Sequence, residues 1–262
     1  MSIVFPDLKL GSKTAEVGNL QRFLNQHFGS PRLVVDEAFG PKTQASLREW
    51  QFDRLLLANG VFSTPDRGRA IGEGFIPFLQ AKNFTPVPVS KDKTNASLFD
   101  ARVSLVVIHD MEYPEIPTAA EWCAQFFAGQ GGMTAPRASA HYSVDSDSVV
   151  QSVRERDVAW HAPGVNHNGI GIEHAGRAKQ SREDWLDAYS RLELAMSAKL
   201  AAQICRRHAI PIRKLTPAEV KVGAKGFCGH VDATLAFATA GGHTDPGLNF
   251  PWDFYLALVS AA

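Results

Sequence analysis

The sequence predicts an α/β domain preceded by a small helical module, and three observations carry that reading. From about residue 101 onward, short β-branched or apolar runs alternate with longer helical patterns. Several of those runs end in His or Glu, which lines one sheet edge with polar side chains. Between the two parts, Lys82 to Ala96 combines two prolines, charges and small polar residues with no periodic apolar face, the composition of a linker.

In the N-terminal part, Val17, Leu20 and Leu24 follow helical spacing. A second helix starts at Pro41 and uses Leu47, Trp50 and Phe52. Val35 to Thr43 forms a hinge between them, and Ala58 to Thr64 is a fainter copy of it. Each joins turn residues, an aromatic and a Thr able to cap a helix, and so returns one helix onto another.

The second part opens with Val103 to Ile108, a run too short for a typical helix and best read as a buried strand. It ends at His109. Thr118 to Phe127 reads as a helix. Ser139 to Asp145 and Val149 to Val153 read as a hairpin across Ser146, Asp147 and Ser148. It leads to Trp160 and His161, an aromatic and an imidazole among small residues, as substrate pockets use. Gly169 to Glu173 is a further strand, and a Glu on an apolar strand is costly unless paired or functional. A long helix is expected from a cap at Ser181 to His208, with Trp185, Leu192, Met196 and Leu200 on its buried stripe. Phe250 to Val259 closes the chain as a helix.

Cys228 to Gly247 is a Gly/Ala/Thr-rich passage with little apolar periodicity, neither pattern being present from Ala238 to Gly247, and it holds His230, Asp232, His243 and Asp245. Imidazole and carboxylate in a loop suggest a metal site. His109, His141, His161, Glu173, His230, His243 and Asp245 are the candidate groups. No tight spacing joins them, and His243 and Asp245, two apart, are equivalent as ligands on sequence alone.

Composition excludes several classes. The 262 residues are 45% apolar and 21% charged with no net charge, so there is no basic stripe for nucleic acid. No run approaches a membrane span, and the start, MSIVFPDLKL, lacks the pattern of a secretory signal. Three scattered cysteines form no disulfide framework, and Cys228 is expected to be a small buried residue.

Val17, Leu20-Gln21, Leu24-Asn25, Phe39-Gly40-Pro41-Lys42-Thr43, Leu47 and Gln51-Phe52 resemble the peptidoglycan-binding domain attached to many wall-degrading enzymes. The domain from about Arg102 to Val259 resembles the zinc-dependent N-acetylmuramoyl-L-alanine amidases of the type 2 amidase and peptidoglycan-recognition-protein group. Six blocks carry the likeness: Val106-Val107-Ile108-His109, Ser139-Ala140-His141-Tyr142, Ala159-Trp160-His161-Ala162, Gly169-Ile170-Gly171-Ile172-Glu173, Gly229-His230-Val231-Asp232 and His243-Thr244-Asp245-Pro246-Gly247.

The resemblance implies a small all-α three-helix domain over residues 1–85, a linker over 86–100, and a zinc amidase domain over 101–262 with a mixed central sheet flanked by helices. It implies one Zn2+ on His109, His230 and Asp245, and Glu173 as the carboxylate that holds the attacking water. His243 falls where the family often has Lys, as a brace for the oxyanion. His161, Trp160 and His141 are expected to bind substrate, whereas Tyr142 falls on the opposite face of its strand. The expected partner is bacterial peptidoglycan, bound by a monomer that neither enters a membrane nor binds nucleic acid. The expected setting is a phage endolysin made in the host bacterial cytoplasm and acting on the wall. A wall-recycling or antibacterial effector amidase, or a muropeptide receptor that does not cut, shares these features.

Overall fold

The computed structural model describes residues 5–87, 102–238 and 242–262. It divides into two compact units, Met1–Leu79 and Gln80–Ala262.

The first unit is built on α1 (Ala15–His27), α2 (Pro41–Asp53) and α3 (Thr64–Ile71). Thr14 caps α1 through Val17 N, and Pro41 opens α2 where no amide hydrogen is needed. Val17, Leu20, Phe23 and Leu24 of α1 meet Leu47 and Trp50 of α2, with Phe39 and Phe62 from the hinges. Phe52 does not join them and is 73% exposed. The face that α2 buries is Thr43, Ser46, Leu47, Trp50 and Gln51, so Leu47 and Trp50 lie on it as expected and Gln51 takes the place expected of Phe52.

The two hinges are fastened alike. Gln21 Oε1 accepts from Asp36 N and Glu37 N at 3.1 Å each, and its Nε2 donates to Ala38 O at 3.0 Å. Gln51 Oε1 accepts from Gly60 N at 3.0 Å, and its Nε2 donates to Val61 O at 2.9 Å. One glutamine per hinge supplies the partners that loop backbone would otherwise lack.

The second unit has a mixed five-stranded sheet in the order β4-β3-β6-β2-β7. Its strands are β2 (Leu105–Asp110), β3 (Tyr142–Val144), β4 (Val149–Gln151), β6 (Gly169–His174) and β7 (Gly226–Gly229). β2 is parallel to β6 and β7, β3 is parallel to β6, and the β3–β4 hairpin is antiparallel. Among the described residues, the longer helices that pack around the sheet are α4 (Ala119–Ala128), α5 (Ala188–His208), α7 (His230–Phe237) and α8 (Trp252–Ala261). The short α6 (Pro217–Lys221) lies beside α7. This is the mixed α/β architecture expected.

The details differ from expectation in four places. The first is the start of the unit. β1 (Phe84–Thr85) pairs antiparallel with β5 (Val158–Ala159), and Val87 N donates to Asp157 Oδ1 at 2.9 Å. The chain therefore packs on this unit from Gln80, and most of the expected linker falls outside the described residues. Second, α5 begins at Ala188, capped by Asp187, while Asp184–Leu186 forms a separate 3-10 turn. Third, its buried face runs through Ser190, Glu193, Leu194, Ser197 and Ala198, which leaves Leu192 61% exposed. Fourth, the Gly/Ala-rich passage after Cys228 contains α7, whose Ala233 and Ala236 pack against Leu105 and Val107. Small residues suffice where a helix lies this close to a strand.

Candidate metal centre and active site

Pleating explains which side chains reach the cleft. Register pairs Leu105, Val107 and His109 of β2 with Gly169, Gly171 and Glu173 of β6, so these six share one face. The alternate residues face α5, where His174 Nε2 meets Ser197 Oγ at 2.7 Å. His109 and Glu173 are thus neighbours at the C-terminal end of adjacent parallel strands, where α/β sheets hold their ligands.

The other groups arrive from the following loops. β7 ends at Gly229, and His230 is the first residue of α7. Asp232 Oδ2 accepts from Gly229 N at 2.7 Å and from Lys214 Nζ at 2.6 Å, fixing the helix start. Val231 N donates to Asp245 O at 3.0 Å and clasps the Asp245 turn to that helix. Gly247 has φ +89, and a Cβ there would lie 2.0 Å from Ala178 O, so no other residue fits.

His109, His230 and Asp245 each offer a donor atom, all within 4.8 Å of one another. His109 Nδ1 is 2.9 Å from Asp245 Oδ2, and His230 Nδ1 is 3.2 Å from Asp245 Oδ1. His243 is half exposed, its ring stacked on His230 at 3.9 Å and its Nδ1 3.6 Å from Asp245 Oδ1. Burial would raise the Asp245 carboxyl, but the His109 and His230 rings that face it outweigh burial and hold it well below the usual range. Burial pushes Glu173 well above the usual range, with Asp245 and Asp110 adding to the rise. A divalent cation beside Glu173 would act in the opposite sense.

These groups border a cavity of about 420 Å3, with Trp160, Phe127 and Met111 as apolar wall. Trp160 is held by Nε1 donating to Thr85 Oγ1 at 2.9 Å. His161 reaches the cavity but is 7% exposed, and its ring nitrogens meet His109 Nε2 and Gly169 O. His141 does not reach it. The ring is fully buried, Nδ1 accepting from Gly171 N at 3.1 Å and Nε2 donating to Asp157 O at 3.3 Å, so it buttresses β6 and has no path to a substrate. Tyr142 points away, its hydroxyl on Glu155 at 2.7 Å.

Asp110 was missed by sequence reasoning. It borders the cavity, its Oδ2 is buried with no partner among the described residues, and burial pushes it up to about 7. Its only sequence signal is adjacency to His109. Asn166 was missed too: its Oδ1 accepts from His161 N and Ala162 N at 2.9 and 2.6 Å. An Asn two residues after Pro163-Gly164 is the trace it leaves.

The N-acetylmuramoyl-L-alanine amidase family model (Amidase_2) matches residues 99–248. N-acetylmuramoyl-L-alanine amidase A of Achromobacter lyticus is 28% identical over 180 residues, which is 64% of this chain and 89% of that protein. Among solved structures, a selenomethionine derivative of AmpD is 22% identical, covering 70% of this chain and 94% of its own, with a TM-score of 0.48. The Staphylococcus aureus hydrolase AmiA, in complex with its ligand, is 17% identical over 61% of this chain and 72% of its own, with a TM-score of 0.45.

Proposed function

The chain belongs to the N-acetylmuramoyl-L-alanine amidase family, and from that premise we propose that it hydrolyses the amide between N-acetylmuramic acid and the stem-peptide L-alanine with one zinc ion. The observation that carries this reading is the convergence of His109, His230 and Asp245 in a cleft that also contains Glu173.

The donor set fits zinc. Two imidazoles and one carboxylate are its usual nitrogen and oxygen ligands, and three protein ligands leave the open position that catalytic sites keep. His109 Nδ1 and His230 Nδ1 turn to the two oxygens of the Asp245 carboxylate at 2.9 and 3.2 Å, an arrangement that one shared cation satisfies. Zinc held there supplies Lewis acidity to the scissile carbonyl and to a water.

The protein's own groups perform the proton transfers. Glu173, beside His109 and raised by burial, takes a proton from the attacking water and delivers one to the leaving amine of L-alanine. His243, stacked on His230 with half its surface open to the cleft, donates a ring N–H to the developing oxyanion. Trp160 and Phe127 give the sugar and lactyl group an apolar wall and exclude water.

Digestion of purified peptidoglycan by the zinc-loaded protein should release new L-alanine N-termini, read by mass spectrometry. Glu173→Gln should lower kcat by about 10²–10⁴-fold while the protein keeps its zinc. A loss of only a few-fold would remove Glu173 from this role.

The helical module, Met1–Leu79, is, in this reading, a wall-binding domain, and the chain an endolysin-like enzyme acting on the bacterial cell wall. Support comes from the hinge Phe39-Gly40-Pro41-Lys42-Thr43 and the helix residues around it. Among the described residues no helix is long and apolar enough to cross a membrane. Co-sedimentation with purified sacculi tests the module: a Glu173→Gln chain that stays in the supernatant refutes it.

A further inference from the structure

A line of buried groups runs from the backbone of β6 to the metal ligands. Gly169 O lies 3.2 Å from His161 Nε2, and His161 Nδ1 lies 3.0 Å from His109 Nε2. His109 Nδ1 then faces Asp245 Oδ2 at 2.9 Å. A carbonyl oxygen only accepts, so the hydrogen between His161 and Gly169 sits on His161 Nε2. A neutral imidazole has one N–H, which makes His161 Nδ1 an acceptor. The hydrogen between the two rings therefore belongs to His109 Nε2, and His109 Nδ1 presents a lone pair towards the carboxylate. Two electron-rich atoms at that distance call for a cation.

The His161 ring has little freedom to give up this role. Asn166 Oδ1 holds the backbone amides of His161 and Ala162. Under the ring, β6 has Gly169 and Gly171 on the face shared with His109 and Glu173. A Cβ on Gly171 would lie 2.7 Å from His161 Cγ, and one on Gly169 3.2 Å from His161 Cε1. The two glycines of this strand make room for one imidazole.

We propose that His161 is a positioning residue that fixes the His109 tautomer: anchored on the Gly169 carbonyl, it accepts the His109 Nε2 hydrogen and leaves His109 Nδ1 as the metal donor. This rests on the reading of His109 as a metal ligand. A ligating histidine usually gives its second N–H to a carboxylate, carbonyl or water. Here another imidazole stands between the ligand and the carbonyl, so the backbone sets the tautomer from two rings away.

The full-length protein, with ¹⁵N-labelled histidines and one equivalent of zinc, gives the direct test by NMR. The expected result is a hydrogen on His109 Nε2 with a through-hydrogen-bond N–N coupling to an unprotonated His161 Nδ1. A hydrogen on His161 Nδ1 overturns the proposal. Zinc affinity, measured against a chromophoric chelator, provides a second readout. His161→Phe, which fills the ring's place without either hydrogen bond, should weaken zinc binding by about 10–100-fold. His161→Gln, whose amide keeps one donor and one acceptor, should recover most of that loss. Unchanged affinity in a folded His161→Phe protein refutes the role, and if that variant does not fold, the NMR result on the parent decides. His109→Ala separates the two levels. Parent-like zinc binding in His109→Ala removes the ligand assignment itself. Zinc loss there, with none in His161→Phe, removes only the positioning role.

Discussion

The helical unit and the cleft of the second unit both bury polar side chains, and they differ in what those side chains are left able to do. In the helical unit Gln21 and Gln51 each exchange donors and acceptors with a hinge. Glu16 and Arg67, 5% and 4% exposed, pair at 2.8 Å. In the cleft, Asp110 Oδ2 and His230 Nε2 are buried without a partner among the described residues, and the His109 and His230 rings both turn a nitrogen to one carboxylate. Closed networks rigidify a fold, whereas unused bonding capacity under burial marks where a ligand belongs.

The comparison is broken most strongly at His230. His230→Ala should bring zinc content to background and abolish wall hydrolysis while the fold persists, as elemental analysis, product assay and circular dichroism would show; zinc retained at one equivalent would contradict the site. Next is the closed pair of the helical unit. Arg67→Met leaves Glu16 buried and alone, and should cost about 3–5 kcal/mol in urea denaturation of that unit, with zinc binding untouched. A change under 1 kcal/mol, roughly that of an exposed pair, would mean Glu16 finds water.

Acid sharpens the contrast further. Burial pushes His141 and His174 down to about 4, against an ordinary value near 6.5. As pH falls from about 6.5 towards 4, the unfolded chain takes up a proton at each ring and the folded one does not, so stability declines through that window. The slope is about 1.4 kcal/mol per pH unit for each ring. Urea titrations of metal-free protein at pH 7.5 and 5 should show it, less steeply in His141→Asn; equal stability at both would refute the buried neutral state. The smallest effect is at a hinge: Gln51→Leu strands Gly60 N and Val61 O and should cost about 1–3 kcal/mol. An unchanged melting temperature would show that water replaces the amide.

These contrasts also mark what was legible in the sequence. Strand β2, the Gly169 to Glu173 strand and their polar ends stood out because parallel-strand burial writes a continuous apolar run. The grouping of His109, His230 and Asp245 came from a family likeness, since the three lie on segments whose approach depends on strand order. Helix α5 was placed but rotated: Ser190, Glu193 and Ser197 are polar residues on a buried face, with Glu193 supplying an acceptor to Ala175 N, and periodicity reads them as exposed. His141 and His161 look alike as sequence, each beside an aromatic. Only the backbone groups around them separate a ring that buttresses a strand from one that touches His109.

The clasp between Val231 N and Asp245 O has a mechanical corollary. It couples the turn bearing Asp245 to the helix start bearing His230, so two of the three donors travel as one piece, while His109 stays with the sheet. In the proposed zinc site, the size of ion accepted would then be governed by a single spacing, sheet to clasped piece, and exchange for a larger ion would widen that gap without parting His230 from Asp245.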